Sequence, residues 1–156
     1  MKTLEKTIRY RASAIDQLPE TDRRLAERAQ AACDGAWAPY SGFRVGAAAL
    51  LDNGAVVAGN NQESEVFPAG LCAERVVIFS VLSQYSGRKI LKMAIAAWHD
   101  GAFTDTPVTS CGICVQSLVD LEKRQGEPIA ILFTGNRQTI AVERAADLLP
   151  FTFSLA

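Results

Sequence analysis

The sequence predicts an α/β domain in which a mixed β-sheet of about five strands is flanked by helices. Three observations carry this. Segments of strand character alternate with segments of helical periodicity, the pattern of layered α/β folds. Two apolar runs, residues 43–51 and 55–59, flank Asp52-Asn53-Gly54, and Asn-Gly between such runs is the strongest short-range hairpin signal. Residues 76–82 are apolar at every position except Ser80, which predicts a helix buried on most sides. A length of 156 residues fits one domain with a single core, so residues 1–156 are read as a single unit.

Taken in order, residues 4–12 alternate loosely and predict a short edge strand. Pro19-Glu20-Thr21-Asp22 marks a helix start, and the helix that follows places Leu25, Ala29, Ala32, Cys33 and Ala36 on one face. Residues 38–42 break it. The predicted hairpin turns at Asn53-Gly54 through a type I′ geometry, since both residues tolerate positive φ. A second helix begins near Leu71, a strand covers residues 92–98, and a third helix runs from Cys111 to about Lys123 after a short strand-like Pro107-Val108-Thr109. Residues 129–133 and 139–142 supply further strands, and residues 143–149 a last short helix.

Sixteen basic and seventeen acidic side chains give a net charge of −1. The basic residues are scattered, apart from Arg23, Arg24 and Arg28 on the first helix. A protein that binds polymeric nucleic acid carries a basic patch that releases counterions, so a small ligand is expected instead. No apolar run approaches the roughly 18–20 residues that cross a bilayer, and the opening Met1-Lys2-Thr3-Leu4-Glu5-Lys6 lacks the apolar core of a secretory signal. A cytoplasmic protein without membrane contact is the expectation. In that compartment a CxxC pair is metal-binding or catalytic more often than a disulfide.

Two short motifs carry the chemistry: Cys72-Ala73-Glu74-Arg75 and Cys111-Gly112-Ile113-Cys114. Both fall at predicted helix starts, where unpaired N–H groups and a partial positive charge favour the thiolate that binds metal. Three cysteine ligands leave the fourth tetrahedral position of a Zn²⁺ ion for water, the arrangement of a catalytic site. Glu74, two residues after a ligand, stands where a proton shuttle is needed. Three thiolates outweigh the ion by one negative charge, and Arg75 is placed to balance it. A CxxC alone also fits a redox dithiol or half of a structural zinc site, but neither explains Cys72-x-Glu74. A four-thiolate site would need Cys33, which sits on an apolar helix face as a core cysteine. Trp37 and Trp98 fit core or interface packing, and His99 fits a surface or loop position.

These motifs resemble those of the zinc-dependent cytidine deaminases that act on free nucleosides, in their three-cysteine form. The resemblance extends over nearly the whole chain: Tyr40-Ser41-Gly42-Phe43-Arg44-Val45-Gly46-Ala47 is similar to that family's lead into its first hairpin, Asn61-Gln62-Glu63 to its ribose-binding segment, and Leu148-Leu149-Pro150 to its tail. It implies a three-layer deaminase-like fold and hydrolytic deamination of cytidine or deoxycytidine to the uridine form, in pyrimidine salvage. One Zn²⁺ per chain would be held by Cys72, Cys111 and Cys114. A water activated at the metal would attack C4 of the pyrimidine, with Glu74 moving its proton to N3 and then helping the ammonia to leave. Asn61 and Glu63 would bind the ribose hydroxyls, Phe43 would line the base, and Ala73 belongs to the implied binding set. Phe153 matches a C-terminal aromatic that closes a neighbouring subunit's site in tetrameric members, so a homotetramer is implied.

Three departures bear on substrate rather than on deamination. Ser64-Glu65-Val66 stands where the family has Asn-Ala and a small residue, Ser110 where it has Pro, and Val115 where it has Arg. A carboxylate at Glu65 that lined the pocket would favour a modified cytosine nucleoside or an aminopyrimidine antibiotic of the blasticidin type. The intact Asn61 and Glu63 favour a ribose-bearing ligand.

Overall fold

The computed structural model describes residues 1–155. Its sheet contains β1 (Arg11–Ser13), β2 (Arg44–Leu51), β3 (Val56–Asn60), β4 (Ile90–His99), β5 (Ala102–Phe103), β6 (Ala130–Thr134) and β7 (Thr139–Val142). The spatial order is β1-β7-β6-β4-β2-β3, with β5 beside β4. β4 and β6 are parallel and every other pair is antiparallel, so the sheet is mixed as expected. It has seven strands rather than about five; β5, with two residues, is too short to carry a period and has no counterpart among the predicted elements.

Helix α1 (Glu20–Ala32) covers one face, and α2 (Ala73–Gln84) and α3 (Gly112–Gln125) cover the other. Alternation along the strands builds both cores at once. Ala47, Ala49, Met93, Ile95, Ile131 and Phe133 point towards α2 and α3. Their neighbours Ala48, Ala94, Ala96 and Leu132 meet Leu25, Ala29 and Cys33 of the α1 side. Three layers result.

The small residues of β2 let α1 approach closely. A Cβ at Gly46 would lie 2.0 Å from the Ala29 carbonyl oxygen and 2.8 Å from the Cys33 nitrogen, both backbone atoms that move only with the helix. Gly46→Ala is therefore expected to destabilise the fold by about 3 kcal/mol or more, at the upper end of overpacking costs. Urea unfolding measures this, and a loss below about 1 kcal/mol would contradict the packing described.

Several expectations need correction. The first strand is confined to Arg11–Ser13, and residues 1–10 are irregular and exposed. The Asn53-Gly54 hairpin forms, but its turn is not type I′. Only Gly54 has positive φ (83°), the Gly54 N–H donates to the Leu51 carbonyl, and the Asn53 carboxamide oxygen accepts from the Ala55 N–H. Asn53 thus uses its side chain instead of a left-handed backbone. Type I′ geometry occurs at Asp100-Gly101, with φ of 51° and 82°, between β4 and β5. Phe79 is 48% exposed, the one exposed side chain between Val76 and Leu82, so α2 is covered on most sides but not at this position. Trp37 is 60% exposed, which leaves interface packing of the two roles expected for it. Residues 107–109 form no strand, and the last helix is only a 3₁₀ segment, Ala145–Leu148. The buried Glu122 carboxylate fixes that segment by accepting from the Ala145 and Ala146 N–H groups at 2.8 and 3.2 Å.

Candidate active site

The N-termini of α2 and α3 meet at one end of the sheet. Cys72 is the residue capping α2 and Cys111 the residue capping α3; in neither case does a side chain hydrogen-bond the free N–H groups of the first turn. Those donors and the positive helix ends face the sulfurs, which is why two separate motifs produce one thiolate site. Cys114 follows in the first turn of α3 and is fully buried.

The Cys72 and Cys111 sulfurs lie 4.0 Å apart, and those of Cys111 and Cys114 3.6 Å apart. All three are within 4.8 Å of one another. Tetrahedral Zn–S bonds of about 2.3 Å place sulfurs about 3.8 Å apart. The donor set and its spacing therefore fit zinc. Among the protein's own groups, the Cys72 thiol is drawn down to about 6, chiefly by a hydrogen bond from the Cys114 thiol. Burial and the Glu74 charge oppose this, while the Cys111 hydrogen bond and Arg75 assist it. Cys114 is pushed upwards by the same Cys72 partner and by burial. One thiolate among closely packed thiols prefers Cys72; a second and a third need a cation beside them.

Glu74 is only 4% exposed, yet it lines a cleft of about 260 Å³ together with Cys72, Cys111, Phe43, Asn61 and Glu63. Arg75 is half-buried, points one guanidinium nitrogen at the Gly70 carbonyl at 3.4 Å, and lines an adjoining cavity that shares Ser41, Asn61, Glu63 and Cys72 with the cleft.

Residues 61–63 continue β3 as extended chain. Gln62 exchanges both backbone hydrogen bonds with Leu71 at 2.9 Å, and the Glu63 N–H donates to the Trp37 carbonyl at 2.8 Å. Asn61 and Glu63, two apart, thus face the cleft together. The Asn61 carboxamide accepts from the Val45 N–H at 2.8 Å and donates to the Phe43 carbonyl at 2.9 Å. One amide hydrogen remains for a ligand. Glu63 accepts from the Tyr40 N–H at 2.9 Å, from the Ser41 N–H at 3.3 Å and from the Ser41 hydroxyl. The Ser41 hydroxyl, and then the Tyr40 N–H, hold its carboxyl below the ordinary range.

Not every expected site residue lines the cleft. Ala73 is fully buried in the core and offers a ligand only its main chain. The Phe153 ring is 69% exposed and outside the cleft of its own chain. Conversely, Val108, Thr109 and Ile95 do line the cleft, although nothing in their local sequence marked them. His99 ends β4 beside Phe43, with ring centroids 5.1 Å apart.

A zinc-type thiolate triad at two helix N-termini, with a buried glutamate two residues after one ligand, defines a zinc-dependent hydrolytic deaminase. Residues 19–125 match the cytidine and deoxycytidylate deaminase zinc-binding region. The cytidine deaminase of Halalkalibacterium halodurans is 36% identical over 130 residues, 83% of this chain and 92% of the relative. The crystal structure of the Burkholderia pseudomallei cytidine deaminase aligns with a TM-score of 0.70 at 33% identity, covering 83% of this chain and 97% of that one. That of the Mycobacterium tuberculosis enzyme aligns with a TM-score of 0.66 at 35% identity, covering 85% and 96%. The chain belongs to the cytidine deaminase family. Among the described residues no helix is long and apolar enough to cross a membrane.

Proposed function

We propose that the enzyme deaminates cytidine and deoxycytidine to the corresponding uridine nucleosides, as a step of pyrimidine salvage. The observation that carries this reading is the common cleft of Glu74, two of the three cysteines, Phe43, and the paired Asn61 and Glu63. Zinc, when held by Cys72, Cys111 and Cys114, supplies Lewis acidity that brings a water's pKa towards about 7. Glu74 takes one proton of the attacking water and delivers it to N3 of the pyrimidine; it then takes the proton of the hydroxyl newly formed at C4 and passes it to the exocyclic amine, which leaves as ammonia as the C4 carbonyl forms. Its burial keeps bulk water away from that transfer. Phe43 forms the apolar wall for the base, and the main chain of Ala73 serves as a hydrogen-bonding partner for it. The free amide hydrogen of Asn61 and the fixed carboxylate of Glu63 bind ribose hydroxyls. Arg75 offsets the excess charge of three thiolates.

Loss of absorbance in the cytosine band tests the proposal, measured across cytidine, deoxycytidine and base-modified cytosine nucleosides, with and without chelator. Turnover of both unmodified nucleosides is expected, and its absence with turnover of a modified one would overturn the substrate reading. Glu65 is exposed and lines neither the cleft nor the adjoining cavity. Glu65→Ala is therefore expected to leave kcat and KM for cytidine within about twofold, as for surface substitutions generally. A tenfold change in either would place Glu65 in the site.

We further infer a homotetramer in which Phe153 closes a neighbouring subunit's cleft. Phe153 is exposed outside its own cleft, and the exposed Phe67 and Ile113 line the cavity beside the cleft, an apolar rim that a neighbouring chain could cover. Light scattering should give four chains, and Phe153→Ala should raise KM by about tenfold, the cost of a substrate-contacting aromatic. A monomer with full activity would contradict this.

A further inference from the structure

The Phe43 wall is held from behind. Phe43 follows Gly42, which is in the left-handed region at φ +67°, so the backbone leading into it has no side chain of its own to anchor. Main-chain ties come from the Phe43 N–H to the Ser41 hydroxyl at 3.0 Å and from Asn61 to the Phe43 carbonyl at 2.9 Å. Neither tie fixes the ring. The ring instead meets the His99 imidazole, at a centroid distance of 5.1 Å and an interplanar angle of 43°. His99 Nδ1 also lies 3.4 Å from the Gly42 carbonyl. On the other side of the ring Nε2 lies 3.4 Å from the Asp100 carboxylate.

The support behind His99 is stiff. His99 pairs with Ala102 across the two-residue turn at Asp100-Gly101, and both turn residues have positive φ. The preceding Trp98 pairs with Phe103 and packs edge-on against it at 4.9 Å. The imidazole is thus carried on a short hairpin and touches both the ring of Phe43 and the peptide immediately before it.

We propose that His99 is a positioning residue for substrate binding: it sets the orientation of the Phe43 ring and so the width of the base-binding side of the cleft. This rests on the assignment of Phe43 to the base. His99 touches no reacting atom, so its effect belongs in substrate binding and not in the chemical step.

Steady-state kinetics of the zinc-loaded enzyme on cytidine, with His99→Ala, His99→Phe, Phe43→Ala and the double variant Phe43→Ala/His99→Ala, tests this. His99→Ala is expected to raise KM about three- to tenfold, the size of one aromatic pair, with kcat within about twofold. His99→Phe keeps a ring against Phe43 and should bring KM back to within about twofold of the wild type. In the Phe43→Ala background, removing His99 should add less than about twofold, because the partner through which it acts is gone. An unchanged KM in His99→Ala, a matching fall in kcat, no rescue by phenylalanine, or full additivity in the double variant would each overturn the inference. If Phe43→Ala raises KM while His99→Ala lowers only the melting temperature, the inference fails and the substrate site stands. If Phe43→Ala leaves KM unchanged, the assignment of Phe43 fails with it.

Discussion

Glu74→Gln is expected to lower kcat by about 10²–10⁴-fold, the range typical of a lost general acid–base group. Glutamine has nearly the same shape and can hydrogen-bond, but it cannot accept and release a proton at N3. The side chain sits in a nearly closed position, 4% exposed, so bulk water cannot readily take over. Zinc content and melting temperature should be unchanged, which separates lost chemistry from lost structure. A variant that keeps more than about one tenth of the wild-type kcat would remove Glu74 from the proposed role.

Cys114→Ala should have the other large effect, by a different route. Cys114 is fully buried at the first turn of α3, 3.6 Å from the Cys111 sulfur. Losing it leaves two thiolates and no closed coordination on the protein side. The drop in zinc affinity should exceed the roughly 10–100-fold cost of losing an outer-shell partner, and activity should fall to background. Metal binding is coupled to folding, since the helix termini converge only in the native state. Chelation should therefore lower the melting temperature of the wild type and leave that of Cys114→Ala unchanged. Stoichiometric zinc in the purified variant would contradict the assignment.

The parts of this site that could be read from the sequence are those fixed by short-range geometry. Cys72-x-Glu74 and Cys111-x-x-Cys114 each lie within one helical turn, so spacing alone sets their relative positions. Asn61 and Glu63 were legible through the resemblance of Asn61-Gln62-Glu63 to the family's ribose-binding segment, and alternation in extended chain explains why both share one face. Alternating element types indicated the layered α/β arrangement and the resemblance its three layers, while the apolar spacing of Leu25, Ala29 and Cys33 marked the buried side, with Cys33 just past the end of α1.

What was hidden depends on contacts between distant segments. Val108 and Thr109 reach the cleft from a stretch without periodicity, placed there by the chain that links β5 to α3. The role of His99 depends on β4 lying against the start of β2, where Arg44 pairs with Trp98; no local pattern announces this. At Asn53 the residue type marked the turn correctly, but two backbone solutions compete there, and the Asn53 carboxamide bond to Ala55 favours the one without positive φ at Asn53. For Phe79, apolar character was read as burial, whereas its side chain is exposed on this chain.

X-ray absorption at the zinc edge of the purified enzyme bears most directly on the whole account. Three sulfur neighbours at about 2.3 Å and one oxygen at about 2.0–2.2 Å are predicted, with one zinc per chain. A fourth sulfur or a histidine nitrogen filling the remaining position, or no stoichiometric zinc at all, would contradict it.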